Sequence, residues 1–232
     1  MSEHKIDLDG LSVCVGMPAG RDLHPFTVRS LLSTQTICRN HGVPFQALFV
    51  TGAAVVQWAR DEVVDLFLKT DANRLFWIDS DMVWEPADFM RLLAVSKHNE
   101  VVCATYPAKM EPPTYFISYE EDAPIESDKF ETLSILGAGL GFTVMDRKVI
   151  EELCENAPVL YDEVAKKGMH ELFRVGRNAK GNRQGEDMAF FQDIRDLGYR
   201  VSLDPSVKLQ HIGCKMYEGN LMDAFNVEQG AK

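Results

Sequence analysis

The sequence predicts an α/β sandwich in which a mainly parallel central sheet carries helices on both faces. Apolar runs of strand length alternate with segments of helical spacing through the first 110 residues. The runs are almost continuously apolar, as expected for strands buried on both faces. Proline or glycine marks several ends of the helical segments. A β-α-β-α-β-α-β order of this kind predicts a parallel sheet.

The individual elements of the first half follow from these patterns. Pro25 and Pro86 stand at helix starts, and Gly42 is a stop signal after the first helix. Strands are predicted at 11–17, 45–50, 74–78 and 100–106, and helices at 24–42, 53–70 and 86–98.

The second half is less regular. Asp146 is a predicted N-cap for a helix over 147–153, and Gly198 a predicted stop for an amphipathic helix that begins at 185. The segment 166–184 has mixed signals. Strands are predicted at 112–120, 130–145, 199–204 and 207–211, with a solvated turn at 120–128 and a loose tail at 216–232.

Bulk properties restrict the class of protein. A chain of 232 residues suits one domain, and a net charge of -11 argues against broad nucleic-acid binding. No apolar run approaches the roughly 18 residues of a membrane span, and the first residues lack the apolar core of a secretory signal. Five cysteines without a CxxC pair favour a reducing compartment, so we expect a cytoplasmic protein in which Cys14 and Cys103 are small core residues.

Two acids end the third predicted strand. Asp79 and Asp81 flank Ser80 directly after the apolar run 75–78. Ligands of parallel sheets bind outside the carboxyl ends of the strands, and paired carboxylates suit a hard divalent cation. A capping or solvated-turn role is the alternative for such a pair.

Two later features complete a candidate site. Glu186 and Asp187 open the helix at 185, where acids also interact favourably with the helix dipole. His211 ends the last predicted strand, where a structural histidine is the alternative to a metal ligand.

Together these motifs resemble, in order along most of the chain, the GT-A type of nucleotide-sugar-dependent glycosyltransferase. The matching segments are Asp79-Ser80-Asp81, Gly185-Glu186-Asp187 and His211. The run 59–81 is similar to the helix and strand that precede the aspartate pair in these enzymes. The element Tyr106-Pro107-Ala108-Lys109 resembles that of compact bacterial and phage members.

The resemblance implies a GT-A type Rossmann-like fold, with a nucleotide-binding half at 11–110 and an acceptor and catalytic half at 111–215. It implies that Asp81 and His211 bind Mn²⁺ or Mg²⁺, and that Asp79 contacts the metal or the ribose. Arg60 would lie against the nucleoside of a donor, by analogy a UDP-sugar. Asp187 would be the general base of an inverting transfer, with Glu186 beside it and pointing elsewhere.

Further residues are candidate donor contacts. Lys109 and Lys215 are placed to face phosphates, with solvated lysines as the alternative. Pro18 ends the first strand. The glycines of "GAGLGF" at 137–142, Gly139 among them, would let a sugar approach the backbone, unless they mark a bend in a strand.

A basic segment precedes the helix at 185. Residues 166–183 hold six basic side chains against Glu171 alone, and could bind a diphosphate, attract an anionic acceptor or be a solvated loop. The basic residues are Lys166, Lys167, Arg174, Arg177, Lys180 and Arg183.

Two rival classes of protein share parts of this pattern. A nucleotidyltransferase usually has a glycine-rich basic loop after the first strand, which "GMPAGRDLHP" fits poorly. A non-catalytic nucleotide-sugar-binding module would not need all four acids. The acceptor stays open between a hydroxymethylated base in DNA, a protein and a glycan, and the oligomeric state is not predicted.

Overall fold

The protein is described from a computed structural model that covers residues 7–120, 126–163, 166–178 and 180–222. The five helices in these ranges are α1 (Pro25–Asn40), α2 (Val56–Phe67), α3 (Pro86–Val95), α4 (Arg147–Asn156) and α5 (Glu186–Asp196). The strands are β1 (Val13–Ala19), β2 (Phe45–Thr51), β3 (Arg74–Ile78), β4 (Met82–Trp84), β5 (Val101–Cys103), β6 (Ile117–Ser118), β7 (Leu133–Ile135), β8 (Gly137–Ala138), β9 (Phe142–Asp146), β10 (Val159–Asp162), β11 (Lys167–His170), β12 (Gly176–Arg177), β13 (Arg183–Gln184), β14 (Val201–Leu203), β15 (Leu209–Ile212) and β16 (Met216–Glu218).

A central sheet of seven strands, in the order β2-β1-β3-β9-β5-β14-β7, forms the middle layer. Five strands run in one direction, and β9 and β7 run against them. The predicted mainly parallel sheet is confirmed. The order of elements along the chain did not predict that β9 lies between β3 and β5. The predicted strands at 74–78 and 100–106 are consecutive in the β-α-β pattern, so they were expected to be neighbours in the sheet.

Helices cover both faces of this sheet, as predicted. On one face, α1 and α3 pack on the strands through residues such as Leu31, Phe89 and Leu92. On the other, α2, α4 and α5 do so through Val63, Ile150 and others. The sheet is therefore buried on both sides, which explains why β3 is apolar at each of its positions apart from Arg74.

Several predicted helix ends are confirmed by their geometry. Asp146 accepts a hydrogen bond from the backbone N–H of Lys148 at 2.9 Å, and so caps α4. Gly42 and Gly198 follow α1 and α5 with φ of 69° and 88°, a backbone conformation that glycine adopts readily. Cys14 and Cys103 are buried core residues, as predicted.

The second half departs from the prediction where local patterns are weak. The expected long strand at 130–145 is divided into β7, β8 and β9, which belong to two different sheets. The mixed segment 166–184 contains β11 and the hairpin β12–β13. Residues 216–218, expected to begin a tail, form β16, and Leu221 is buried; 223–232 lie outside the described residues, as do 121–125 of the predicted turn.

Candidate active site

The aspartate pair lies in the short connection between β3 and β4, at the carboxyl end of β3. A small three-stranded sheet, β16-β15-β4, continues from this connection. Its register sets His211 opposite Met82, and the backbone N–H of Ile212 donates to the carbonyl of Asp81 at 2.9 Å. The pairing of two distant segments therefore brings His211 beside Asp81.

Asp81 and His211 form the part of the site that could hold a metal. Nε2 of His211 lies 3.5 Å from Oδ2 of Asp81. Nδ1 of the same ring is 3.0 Å from the carbonyl of Pro107, a contact that fixes the ring and leaves Nε2 directed at the carboxylate. Metal-binding histidines are commonly oriented in this way. Imidazole and carboxylate together suit Mn²⁺, so these residues fit the predicted ion.

Lys109 completes this group of charges. Its Nζ lies 2.5 Å from Oδ2 of Asp81, so the lysine predicted to face phosphates is beside the candidate metal ligand. Burial acts to raise the pKa of Asp81, but the contacts with His211 and Lys109 outweigh it and hold the pKa below its ordinary value.

Asp79 does not join Asp81 and His211 in this structure. Its carboxylate points into the protein, where Oδ1 lies 3.5 Å from a terminal nitrogen of Arg60. Within the described ranges, no group of three or more histidine, cysteine or acidic side chains is arranged to hold a metal ion. The chain thus offers two ligands from the predicted set of three.

Arg60 on α2 connects the two halves of the site. Its Nη1 donates to Asp187 and lies 3.3 Å from Oε1 of Glu186, while Nη2 faces Asp79. Arg60 is only 3% exposed, and the ring of Phe173 lies 5.6 Å from its guanidinium carbon. In this structure three carboxylates surround the guanidinium, and contact of Arg60 with a nucleoside stays a prediction.

The side chain of Glu186 points in a different direction from the one expected. Adjacent helical residues point in different directions, and Glu186 was expected to point away from Asp187. Instead both side chains reach the same nitrogen of Arg60. Arg60 lies in front of the first turn of α5, so the longer glutamate side chain can extend to it from the neighbouring position.

Asp187 is held from two sides. Oδ1 accepts from Arg60, and Oδ2 accepts from the backbone N–H of Leu140 at 3.3 Å. Burial raises the pKa of Asp187 and the charge of Glu186 adds to this, while Arg60 opposes both. Burial likewise raises the pKa of Asp79, against the opposing charge of Arg60.

Tyr106 is a site residue that the sequence analysis did not select. Its hydroxyl accepts from the backbone N–H of Gly141 at 3.3 Å, and its ring meets that of His211 edge-on at 5.0 Å. Burial raises its pKa well above 10, and the charges of Asp79 and Asp187 raise it further. Its place in the Tyr-Pro-x-Lys element could have indicated a site residue, but only Lys109 of that element was predicted to contact the donor.

The glycines at 137–142 include two positions that a side chain could not share with its neighbours. A Cβ added at Gly139 would meet the phenol of Tyr106, and one at Gly141 would meet the carboxylate of Asp79. These positions make room for the protein's own side chains. Approach of a sugar to the backbone at Gly139 stays a prediction.

Three remaining candidates lie around this edge. Pro18 is the penultimate residue of β1 and lies two residues beyond the Gly16–Trp77 register pair, level with Asp79. The carbonyl of Ser80 accepts from the backbone N–H of His24 at 3.4 Å. Lys215 pairs with Glu111 at 2.5 Å, so its ammonium is engaged away from Asp81.

This fold, with its mixed seven-stranded sheet between two helical layers, is the GT-A type glycosyltransferase fold. The crystal structure of GalNAc-T7 with UDP, GalNAc and Mn²⁺ is similar, with a TM-score of 0.56 and 12% sequence identity. The match covers 88% of this chain and 44% of that one, so the chain spans less than half the length of this neighbour.

A second structure, a glycosyltransferase involved in the glycosylation of the major capsid of PBCV-1, matches at a TM-score of 0.36 and 8% identity over 61% of this chain and 62% of that one. That likeness is too slight to support an argument. No protein-family model and no curated protein sequence matches the chain. In the described part of the chain, no helix is both long and apolar enough to cross a membrane.

Proposed function

We propose that the protein is a metal-dependent glycosyltransferase that moves a sugar from a nucleoside diphosphate donor to an acceptor hydroxyl. UDP is the proposed nucleotide, since a UDP and Mn²⁺ complex is what the neighbour GalNAc-T7 was crystallised with. The proposed reaction is inverting, with Asp187 as the general base.

One observation carries this proposal: a candidate metal pair and a candidate base lie at the same edge of the sheet, connected through Asp79 and one buried arginine. Asp81 and His211 form the metal side, and Asp187 forms the base side. Arg60 bonds to Asp187 and faces Asp79, which is two residues from Asp81. The site therefore holds the two groups that direct displacement at an anomeric carbon requires.

The candidate metal ligands and the candidate base would serve different parts of the reaction. A bound Mn²⁺ or Mg²⁺ would neutralise the charge that develops on the departing diphosphate. Lys109 adds a positive charge beside Asp81 for the same phosphates. Asp187 would take the proton of the acceptor hydroxyl, and Arg60 with the N–H of Leu140 would fix its carboxylate for that task.

Calorimetry with UDP tests the donor part of this function. We expect UDP to bind in the presence of Mn²⁺ or Mg²⁺ and to bind far more weakly in EDTA. Hydrolysis of a panel of nucleotide sugars, followed as release of the nucleoside diphosphate, then identifies the donor. Equal affinity for UDP with and without metal would contradict the metal site. Formation of pyrophosphate from a nucleoside triphosphate and a sugar 1-phosphate would instead indicate nucleotidyl transfer.

A further inference from the structure

The basic segment before α5 separates into paired and unpaired charges. Lys167 lies 2.5 Å from Asp65, and both terminal nitrogens of Arg174 bond to Asp193. Lys166, Arg177, Lys180 and Arg183 are exposed, and none of them has an ion-pair partner among the described residues. Three of these four charges lie in the hairpin β12–β13.

Both ends of this hairpin are fixed to the core. The backbone N–H groups of Leu172 and Phe173 donate to the buried carboxylate of Asp61, at 2.9 and 3.3 Å. The ring of Phe173 stacks on Phe190 of α5 at 4.3 Å. At the other end, Gln184 donates to the carbonyl of Met188 at 3.2 Å. The hairpin is thus attached beside the first turn of α5.

Within the hairpin, Arg177 stands directly opposite Arg183. Opposite residues of an antiparallel pair have Cα atoms about 4.5–5.5 Å apart, and like charges at such positions destabilise the pair. In a chain of net charge -11, an acid at either position would have relieved this repulsion. A bound anion would relieve it as well, and two guanidinium groups at this spacing suit the oxygens of a phosphate.

The hairpin lies on the base side of the site. Arg183 precedes Asp187 by four residues, so their Cα atoms are at most about 14 Å apart. The donor's phosphates are assigned to a different pair of residues, Asp81 and Lys109. An anion held by the hairpin would therefore belong to the molecule whose hydroxyl reaches Asp187.

We propose that Arg177 and Arg183 bind a phosphate group on the acceptor, so that the acceptor is a phosphate-bearing molecule. The assignment of the phosphate to an acceptor rests on the proposed function. Binding of a phosphate by the hairpin does not depend on that function. The phosphate could come from a sugar phosphate or from the backbone of a nucleic acid, and both present the same group to the two arginines.

Calorimetry in EDTA, where the metal-dependent donor site is not formed, tests the hairpin alone. The probes are glucose 6-phosphate, a six-nucleotide single-stranded DNA, and glucose as the neutral control. We expect at least one phosphate-bearing probe to bind more tightly than glucose. The double variant Arg177→Gln/Arg183→Gln should weaken that binding about tenfold and flatten its salt dependence.

A matched control removes two positive charges elsewhere. Arg39 at the end of α1 and Lys148 on α4 are exposed and lie outside the site, so Arg39→Gln/Lys148→Gln should leave binding of the probe within about twofold, since distant surface charges are screened. Binding of glucose 6-phosphate would identify a small phosphorylated acceptor. Binding of the DNA alone would identify the nucleic-acid backbone as the source.

Three results would overturn the proposal. The first two are unchanged binding of the probe in the hairpin variant and no binding of either phosphate-bearing probe by the wild-type protein. Calorimetry with UDP and Mn²⁺ on the same variant separates it from the donor function. If the variant loses UDP affinity instead, the hairpin serves the donor and the acceptor proposal is wrong. If the wild type fails to bind UDP yet binds the probe through the arginines, the proposed function fails and the phosphate site stands.

Discussion

Arg60 binds Asp187 from the buried side of the site: its guanidinium donates to the carboxylate of the proposed base and also faces Glu186 and Asp79. Each of these carboxylates is about one quarter exposed, whereas the side chain of Arg60 is 4% exposed. The arginine is therefore a positioning residue, and three acids on two segments depend on one cation for charge compensation.

Replacing Arg60 by methionine should reduce the free energy of unfolding. Removing one partner of a buried ion pair costs about 3–5 kcal/mol, and the partial exposure of the three acids favours the lower end, about 3 kcal/mol. Urea unfolding followed by circular dichroism measures this. Arg60→Lys should recover part of the loss, since it keeps the charge but not the forked geometry. Arg29→Met, at an exposed position on α1, is the control, and a loss as small as the control's would contradict the role.

The pair Asp81 and His211 makes a second prediction. Asp81→Asn and His211→Gln should each weaken Mn²⁺-dependent UDP binding by at least about tenfold, because each removes one ligand of the same ion. If the two side chains share that ion, the double variant should lose less than the sum of the single losses. Calorimetry at a fixed Mn²⁺ concentration measures the UDP affinities of the wild type, the two single variants and the double variant, which together form a double-mutant cycle. Full additivity of the two effects would show that they act at separate sites.

Gly141 should not tolerate a side chain. A Cβ there would lie 2.8 Å from the hydroxyl of Tyr106 and would meet the carboxylate of Asp79, so one of them must move. Gly141→Ala is expected to destabilise the protein by about 1–3 kcal/mol and to reduce transfer. Gly20→Ala is the matched control, because nothing lies within 4 Å of a Cβ at that position. Equal thermal stability and activity of the two variants would refute this account of the glycine.

The sequence predicted those parts of the site that rest on local patterns. Apolar strand β3 followed by Asp79 and Asp81 indicated the carboxyl edge, and the acids Glu186 and Asp187 in a first helical turn indicated the start of α5. The contacts of Arg60 and Tyr106 required the tertiary structure. Nothing in their neighbourhood along the chain shows that an arginine on α2 meets acids 126 and 127 residues later.

The order of strands in the sheet was likewise predicted only in part from local patterns. Helical spacing predicts which segments pack on the sheet, but β9 enters between β3 and β5 from a distant part of the chain. Its apolar pattern is equally compatible with an edge or a central position, so only pairing with both neighbours distinguishes the two. The site depends on this insertion, because the backbone N–H of Asp79 donates to the carbonyl of Gly141 just before β9, at 3.1 Å.

The proposed base makes a fourth prediction. Asp187→Asn keeps an oxygen that can accept from Leu140 but cannot take a proton, so transfer should slow by about a hundredfold or more with UDP binding retained. Glu186→Gln is the matched control, since Glu186 contacts the same nitrogen of Arg60, and its effect should be within a few fold. A greater loss in Glu186→Gln, or an α-linked product from an α-linked donor, would remove Asp187 from this role.

The last prediction concerns the buried carboxylate that anchors the hairpin. Burial raises the pKa of Asp61 to about 7, against the lowering effect of hydrogen bonds from the backbone of Leu172 and Phe173. The folded protein therefore binds a proton that the unfolded chain has lost above about pH 4. The contribution of Asp61 to stability is largest in acid, falls as the pH rises from about 4 to 7, and is constant above.

Asp61→Asn keeps an oxygen that can accept both backbone hydrogen bonds but has no proton to lose. The free energy of unfolding of this variant, minus that of the wild type, should therefore increase by about 3–4 kcal/mol between pH 4 and pH 7 and level off above pH 7. Urea unfolding at several pH values measures the difference. Asp65→Asn on the same helix is the control: Lys167 and Lys69 outweigh burial and lower the pKa of Asp65, so its contribution changes mainly below about pH 4 and the difference for this variant should be nearly flat between pH 5 and pH 7. A difference for Asp61→Asn that is flat over this range would mean that Asp61 is ionised throughout and that the two backbone N–H groups compensate its burial.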